Sequence, residues 1–243
     1  MTNSPHLRGI ITVLNTPFTR QDTIDIAGLR ANVRNAMDAG VAGLCVPALA
    51  SEVGSLSDGE RDAIVAAVIE EVGGRMPVIG GAHAPTQPDR LRNTRRLFEQ
   101  GCAGVLVNIP FTDAAAFERD FAQLAAGADG FLMLQDWDPV GPGLSLDLIV
   151  RLAERVPAFT WLKIEVVPAG PKYTQVIEAT NGRLNLAGGW AVMQLIEALD
   201  RGIHAFMPTA MHRIYTRIYA LYAAGDRPAA QDLFNDILPV LAF

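Results

Sequence analysis

The chain reads as an α/β protein, a single (β/α)8 TIM barrel, on three observations. Half of its 243 residues are apolar, enough to fill one large core, and a barrel of alternating strands and helices needs roughly 250 residues. Short apolar runs rich in β-branched residues alternate eight times with helix-length amphipathic stretches, the pattern of βα units around a parallel sheet. No G-x-G-x-x-G follows the first run, and so regular a repeat favours a closed barrel over an open nucleotide-binding sheet.

The first strand is expected over residues 9–16 and its helix over 25–39, closed by Gly40. The second pair covers 41–48 and 57–72, where Ser57 and Glu60 have the spacing of a capping box. Runs at 77–82 and 103–110 precede helical patterns at 87–100, closed by Gly101, and 113–126. Strands five and six, 130–136 and Phe159–Glu165, precede helices at 145–155 and 171–180. The last two runs, 183–189 and 205–209, precede helices at 191–200, closed by Gly202, and 211–223. Gly225 and Asp226 then open one more helix near 228–241. The barrel is therefore expected over 1–224, with 225–243 as the start of a C-terminal helical extension.

Composition narrows the function classes. A formal net charge of −6 without any block of like charge argues against a nucleic-acid surface, while a small neutral or anionic metabolite needs only one buried cation or a few backbone amides. Residues 1–8 hold no apolar core of signal-peptide length, and no run approaches the ~18 apolar residues of a membrane span, so a cytoplasmic protein without a membrane partner is expected. Cys45 lies in an apolar run and Cys102 beside a glycine; both read as small core residues. No two histidines have metal-ligand spacing, so no metal is expected.

A barrel does its chemistry at the C-terminal ends of its strands. The polar residues there are Asn15 and Thr16, Ser51 and Glu52, His83, Asn108, Gln135 and Asp136, Lys163 and Glu165, and Thr209, with Gly188 and Gly189 closing strand seven. Lys163 stands out, because only Lys163 and Lys172 are lysines among 20 basic residues and Lys163 lies inside an apolar strand. Desolvating an ammonium is costly, and the neutral amine is the form that attacks a carbonyl. The bland alternative is a buried ion pair of Lys163 with Glu165 or Asp136. Thr16 and Ser51 offer hydroxyls, and Glu52 suits a supporting role. Gly188 and Gly189 would let a carboxylate approach backbone amides or would simply make a tight turn. His83 and His212 are placed to face the mouth, His204 lies at the opposite end, and His6 carries no case.

Several short motifs recur in a familiar order: Thr16-Pro17-Phe18, Ser51-Glu52 followed by Leu56-Ser57-x-x-Glu60, Gly73-Gly-Arg-x-Pro-Val-Ile79, Lys163-Ile-Glu165, Gly188-Gly189 and Ala224-Gly-Asp226. From residue 7 to 243 the chain resembles the dihydrodipicolinate synthase/N-acetylneuraminate lyase family of class I aldolases and dehydratases. The resemblance implies that Lys163 forms a Schiff base with a 2-oxo acid, that no cofactor is used, and that the protein is a homo-oligomer, a tetramer or dimer. It also implies several dozen further residues in typical members, so a truncated product or a different assembly is expected here.

The departures shape the reading. Where the family usually has Gly-Thr-Thr-Gly-Glu, this chain has Ala48-Leu49-Ala50-Ser51-Glu52, keeping only the acid and leaving Ser51 to replace a hydroxyl. Where the family has Tyr-Asn at the end of strand five, this chain has Gln135-Asp136, and an amide cannot relay protons near neutral pH. The arginine with which the synthase grips a second carboxylate is absent from residues 138–143, which argues against a role in lysine biosynthesis. The expected activity is retro-aldol cleavage or dehydration of a 2-oxo acid such as a 2-keto-3-deoxy sugar acid, with Asp136, Glu165 or a water held by Ser51 moving the proton. Two rivals are a non-catalytic 2-oxo-acid sensor and a phosphate-binding isomerase using Gly188 and Gly189. Leu233, Phe234, Ile237, Leu238, Val240 and Leu241 give the last helix an apolar face that an oligomer would cover.

Overall fold

The structure is a computed structural model and describes residues 7–189 and 193–241. His6, Phe243 and the first two residues of the expected seventh helix lie outside the described residues. Eight parallel strands close into a barrel in chain order: β1 (Gly9–Val13), β2 (Gly43–Cys45), β3 (Val78–Gly81), β4 (Gly104–Val107), β5 (Phe131–Trp137), β6 (Phe159–Glu165), β7 (Asn185–Gly188) and β8 (Ala205–Phe206). Around it lie α1 (Ile26–Asp38), α2 (Asp58–Val72), α3 (Gln87–Glu99), α4 (Ala114–Ala126), α5 (Leu146–Arg155), α6 (Ala169–Ala179), α7 (Leu195–Asp200) and α8 (His212–Ala223), followed by α9 (Arg227–Leu241).

Local chemistry explains the boundaries. The side chains of Asp25, Ser57, Thr86, Asp113 and Ser145 each accept the backbone N–H three residues on, satisfying a donor that the first helical turn leaves free. Ser57 and Glu60 form the full reciprocal box. Gly40, Gly101 and Gly202 take positive φ just past α1, α3 and α7, where a Cβ would be strained. The strands are shorter than the apolar runs because the ladder gives way to single bonds near the mouth, such as Leu14 N–H to Cys45 O and Met207 N–H to Gly188 O.

Strand alternation sorts side chains into two cores. Ile11, Cys45, Ile79, Phe131, Met133, Trp161 and Ala205 fill the barrel interior. Leu132, Leu134, Leu162 and Ile164 point outward and pack with the helices. On β5 this alternation puts Gln135 in phase with Met133 and Asp136 in phase with Leu134; on β6 it keeps Trp161, Lys163 and Glu165 together. Both cysteines are buried, and burial pushes each thiol up to about 12.

The last helix does not wait for a partner. Phe234 and Ile237 of α9 are buried, and Leu233, Leu238 and Leu241 pack against the same core, leaving Val240 exposed. α9 folds back on α7 and α8, which cover much of this face within the chain. No helix among the described residues is long and apolar enough to cross a membrane.

Candidate active site

A cavity of about 860 Å³ opens at the C-terminal ends of the strands. Gln135, Lys163 and Glu165 line it from β5 and β6, Gly189 from the end of β7, and His83 and Asn108 from the loops after β3 and β4. Lys163 and Glu165 are nearly buried, each with 9% of its side chain exposed, and the Lys163 Nζ lies 2.9 Å from Glu165 Oε2. Gln135 Nε2 donates to the same oxygen at 2.6 Å. The other oxygen, Oε1, sits so close to Gly189 that a Cβ there would lie 1.8 Å from it. Three neighbouring strands thus fix one carboxylate beside one amine. The pair is desolvated, so its attraction is stronger than at a surface.

Asp136 stands apart from this group. Facing outward from β5, it accepts the Leu144 N–H at 2.8 Å and lies 3.3 Å from the Lys172 Nζ. Lys172 also donates to Pro142 O at 2.7 Å and to Leu144 O. Burial raises the Asp136 carboxyl above its ordinary range, opposed by the Leu144 N–H and Lys172. The chain's two lysines therefore hold separate carboxylates, one inside the barrel and one beneath the loop after β5.

Thr16, Ser51 and Glu52 do not line the cavity among the described residues. Thr16 Oγ1 donates to Ser51 O at 2.7 Å, and Ser51 Oγ donates to Leu14 O at 2.5 Å while accepting the Ala48 N–H at 3.0 Å. They tie the end of β1 to the segment Ala48, Leu49 and Ala50, which does line the cavity. Glu52 is exposed and takes a left-handed backbone with φ 59°, between the short 3-10 turns Leu49–Ser51 and Val53–Ser55. Gly188 is buried in the ladder opposite Ile164 and Phe206, so only its neighbour Gly189 reaches the cavity. His83 is held below its ordinary range by burial and then by Arg61 and Arg90. His212 accepts or donates through Nδ1 to the Thr12 hydroxyl at 2.9 Å. No group of three or more His, Cys, Asp or Glu side chains is placed to hold a metal among the described residues.

Sequence reasoning missed the apolar wall: Trp137, Met193, Met207, Met211, Tyr215 and Leu241. Leu241 arrives from the far end of α9, and nothing in its local sequence signals that destination.

The comparisons agree with this architecture. Residues 6–243 match the dihydrodipicolinate synthetase family model, and the chain belongs to that family. An L-2-keto-3-deoxyarabonate dehydratase from Azospirillum brasilense is 31% identical over 217 residues, covering 86% of this chain and 69% of the relative. A 4-hydroxy-tetrahydrodipicolinate synthase from Methanoculleus marisnigri is 24% identical, covering 96% of this chain and 82% of that protein. A crystal structure of a putative dihydrodipicolinate synthetase from Pseudomonas aeruginosa superposes with a TM-score of 0.90 at 23% identity, covering 97% of this chain and 83% of the other. The family is one of class I lyases acting on 2-oxo acids, and membership does not favour a sensor or a phosphate-binding isomerase.

Proposed function

We propose that the protein is a cytoplasmic Schiff-base lyase that dehydrates or cleaves a 2-oxo acid bearing a hydroxyl two carbons from the carbonyl, as in a 2-keto-3-deoxy sugar acid. The observation that carries this reading is Lys163: a buried amine at the end of β6, lining the cavity 2.9 Å from a carboxylate. The 31% identical relative, a dehydratase of a keto-deoxy sugar acid, supports the same substrate class.

In this mechanism the ammonium passes a proton to Glu165, the free Nζ adds to the C2 carbonyl, and Glu165 returns the proton to the departing hydroxyl, so that water leaves and an iminium ion remains. The iminium draws electrons from C3. In dehydration a C3 proton leaves to Glu165, which returns it to the C4 hydroxyl as the enamine expels that group as water. In cleavage the C4 hydroxyl gives its proton to Glu165, the C3–C4 bond breaks, an aldehyde departs, and Glu165 returns the proton to C3 of the enamine. Hydrolysis of the imine releases the remaining 2-oxo acid and restores Lys163. Gln135 holds the Glu165 carboxylate in place by donating to Oε2. Association into a dimer or tetramer is part of the proposal, supported by exposed Leu49, Phe111 and Val140 around the mouth.

The test is product analysis with 2-keto-3-deoxyarabonate. Either a dehydrated 2-oxo acid or pyruvate with an aldehyde accumulates if the reading holds. Unchanged substrate across a panel of hydroxylated 2-oxo acids contradicts it.

A further inference from the structure

The cavity is large, yet its charge is spent at its base. Among the described lining residues Lys163 is the only permanent cation candidate and Glu165 the only acid, and the two face each other at 2.9 Å. Once Lys163 is engaged as the iminium, that positive charge stays at C2 beside Glu165, and the described lining residues offer no second cation for the far end of the substrate. Two arginines beside the loop after β3 are committed elsewhere, and Arg213 lines a neighbouring cavity and not this one. Arg61 donates to Leu56 O at 3.1 Å, Val53 O at 2.8 Å and His83 O at 3.4 Å, and Arg90 donates to Ala84 O at 2.9 Å. Neither lines the cavity. The outermost lining side chains are Leu49, Trp137 and Met193, which are 57%, 47% and 56% exposed and bring no charge to the opening. Polar groups away from the Lys163–Glu165 pair include His83, Asn108, Gln194 and Thr209, enough to meet hydroxyls.

We infer that the substrate is a monocarboxylate: a 2-oxo acid whose chain beyond C3 is uncharged, carrying neither a second carboxylate nor a phosphate. An anion at the far end would leave water for a wall of leucine, tryptophan and methionine with no cation to meet it, and would share the cavity with Glu165. A neutral chain escapes both costs, and thioether side chains adapt to its shape. The inference rests on the proposed function only in placing the carbonyl carbon at Lys163.

The matched pair 2-oxohexanoate and 2-oxoadipate differs only in the terminal group, methyl against carboxylate. Calorimetric titration of the wild-type protein is expected to give at least about tenfold tighter binding of 2-oxohexanoate. Met193→Arg, or Leu49→Arg at a second place on the rim, is expected to tighten 2-oxoadipate binding by at least about tenfold. Equal or tighter binding of 2-oxoadipate by the wild type overturns the inference, as does a folded Met193→Arg and a folded Leu49→Arg that both gain nothing. Borohydride trapping on the same samples reads the imine separately. Trapping with the reversed affinity order removes the specificity claim and leaves the Schiff base. The expected order without trapping removes the Schiff base and leaves the specificity claim.

Discussion

Lys163 and Glu165, two residues apart on β6, face the same way into the barrel and meet through Nζ and Oε2 at 2.9 Å. The alternation of a strand makes this contact inevitable once Lys163 points inward. It also supplies what the missing tyrosine does not, a titratable oxygen beside the amine. Glu165→Gln is therefore expected to form the borohydride-trapped adduct more slowly but still in the end, while turnover falls roughly 10²- to 10⁴-fold. Turnover within tenfold of wild type would move the proton-transfer role elsewhere.

Gly189 is a positioning residue for the same carboxylate. A Cβ would lie 1.8 Å from Glu165 Oε1 and 2.3 Å from its Cδ, and neither backbone can retreat far within a closed barrel. Gly189→Ala should mimic Glu165→Gln, with imine formation kept and turnover lost. Because both changes disable one group, the double variant should be no slower than the worse single variant. Additive losses in steady-state kinetics would contradict this.

Asp136 and Lys172 form a second buried pair, outside the barrel interior. Asp136→Leu or Lys172→Met alone leaves a buried charge unmatched and is expected to cost about 3–5 kcal/mol by denaturant unfolding, whereas the double variant recovers most of it. The pH dependence has a definite sign. Burial raises the Asp136 carboxyl, so the folded state keeps that proton to higher pH than the unfolded chain does. This contribution is complete below the unfolded value of about 3.9 and is lost as pH rises through the folded value. The stability of wild type relative to Asp136→Asn should decline across that window. A rising difference would contradict the assignment.

Cys45 and Cys102 are buried with thiols pushed up to about 12. Iodoacetamide at about pH 8 should label neither in the folded protein and both in urea, because the thiolate is the reactive form. Rapid labelling of the native protein would mean that the barrel interior opens.

The eight βα units were legible because periodicity survives without a partner chain or ligand, and Ser57 with Glu60 marked a helix start by chemistry alone. The strand that holds the amine was legible for a different reason: a lysine in Phe159–Glu165 has no cheap place to go. Which of Gln135 and Asp136 faces the cavity was not legible. Parallel strands are buried on both faces, so their apolar runs carry little phase information, and Asp136 stood as a proton-transfer candidate on residue type alone. The bonding of Thr16 and Ser51 was not legible either. Their hydroxyls sit near the mouth, but they are spent on Ser51 O and Leu14 O, a cost of burying polar groups that no motif displays. The methionine and leucine wall was invisible because an apolar residue at a cavity reads like any core residue.

The central claim is that Lys163 forms an imine. Intact mass and peptide mapping after borohydride reduction with pyruvate and with 2-keto-3-deoxyarabonate test it most directly, with folded Lys163→Arg as control. An adduct of the substrate's mass on Lys163 is expected in the wild type and none in the variant. No adduct on folded wild-type protein, or an adduct of equal yield on Lys172, would contradict it and leave Lys163 as the partner of Glu165 in a buried ion pair.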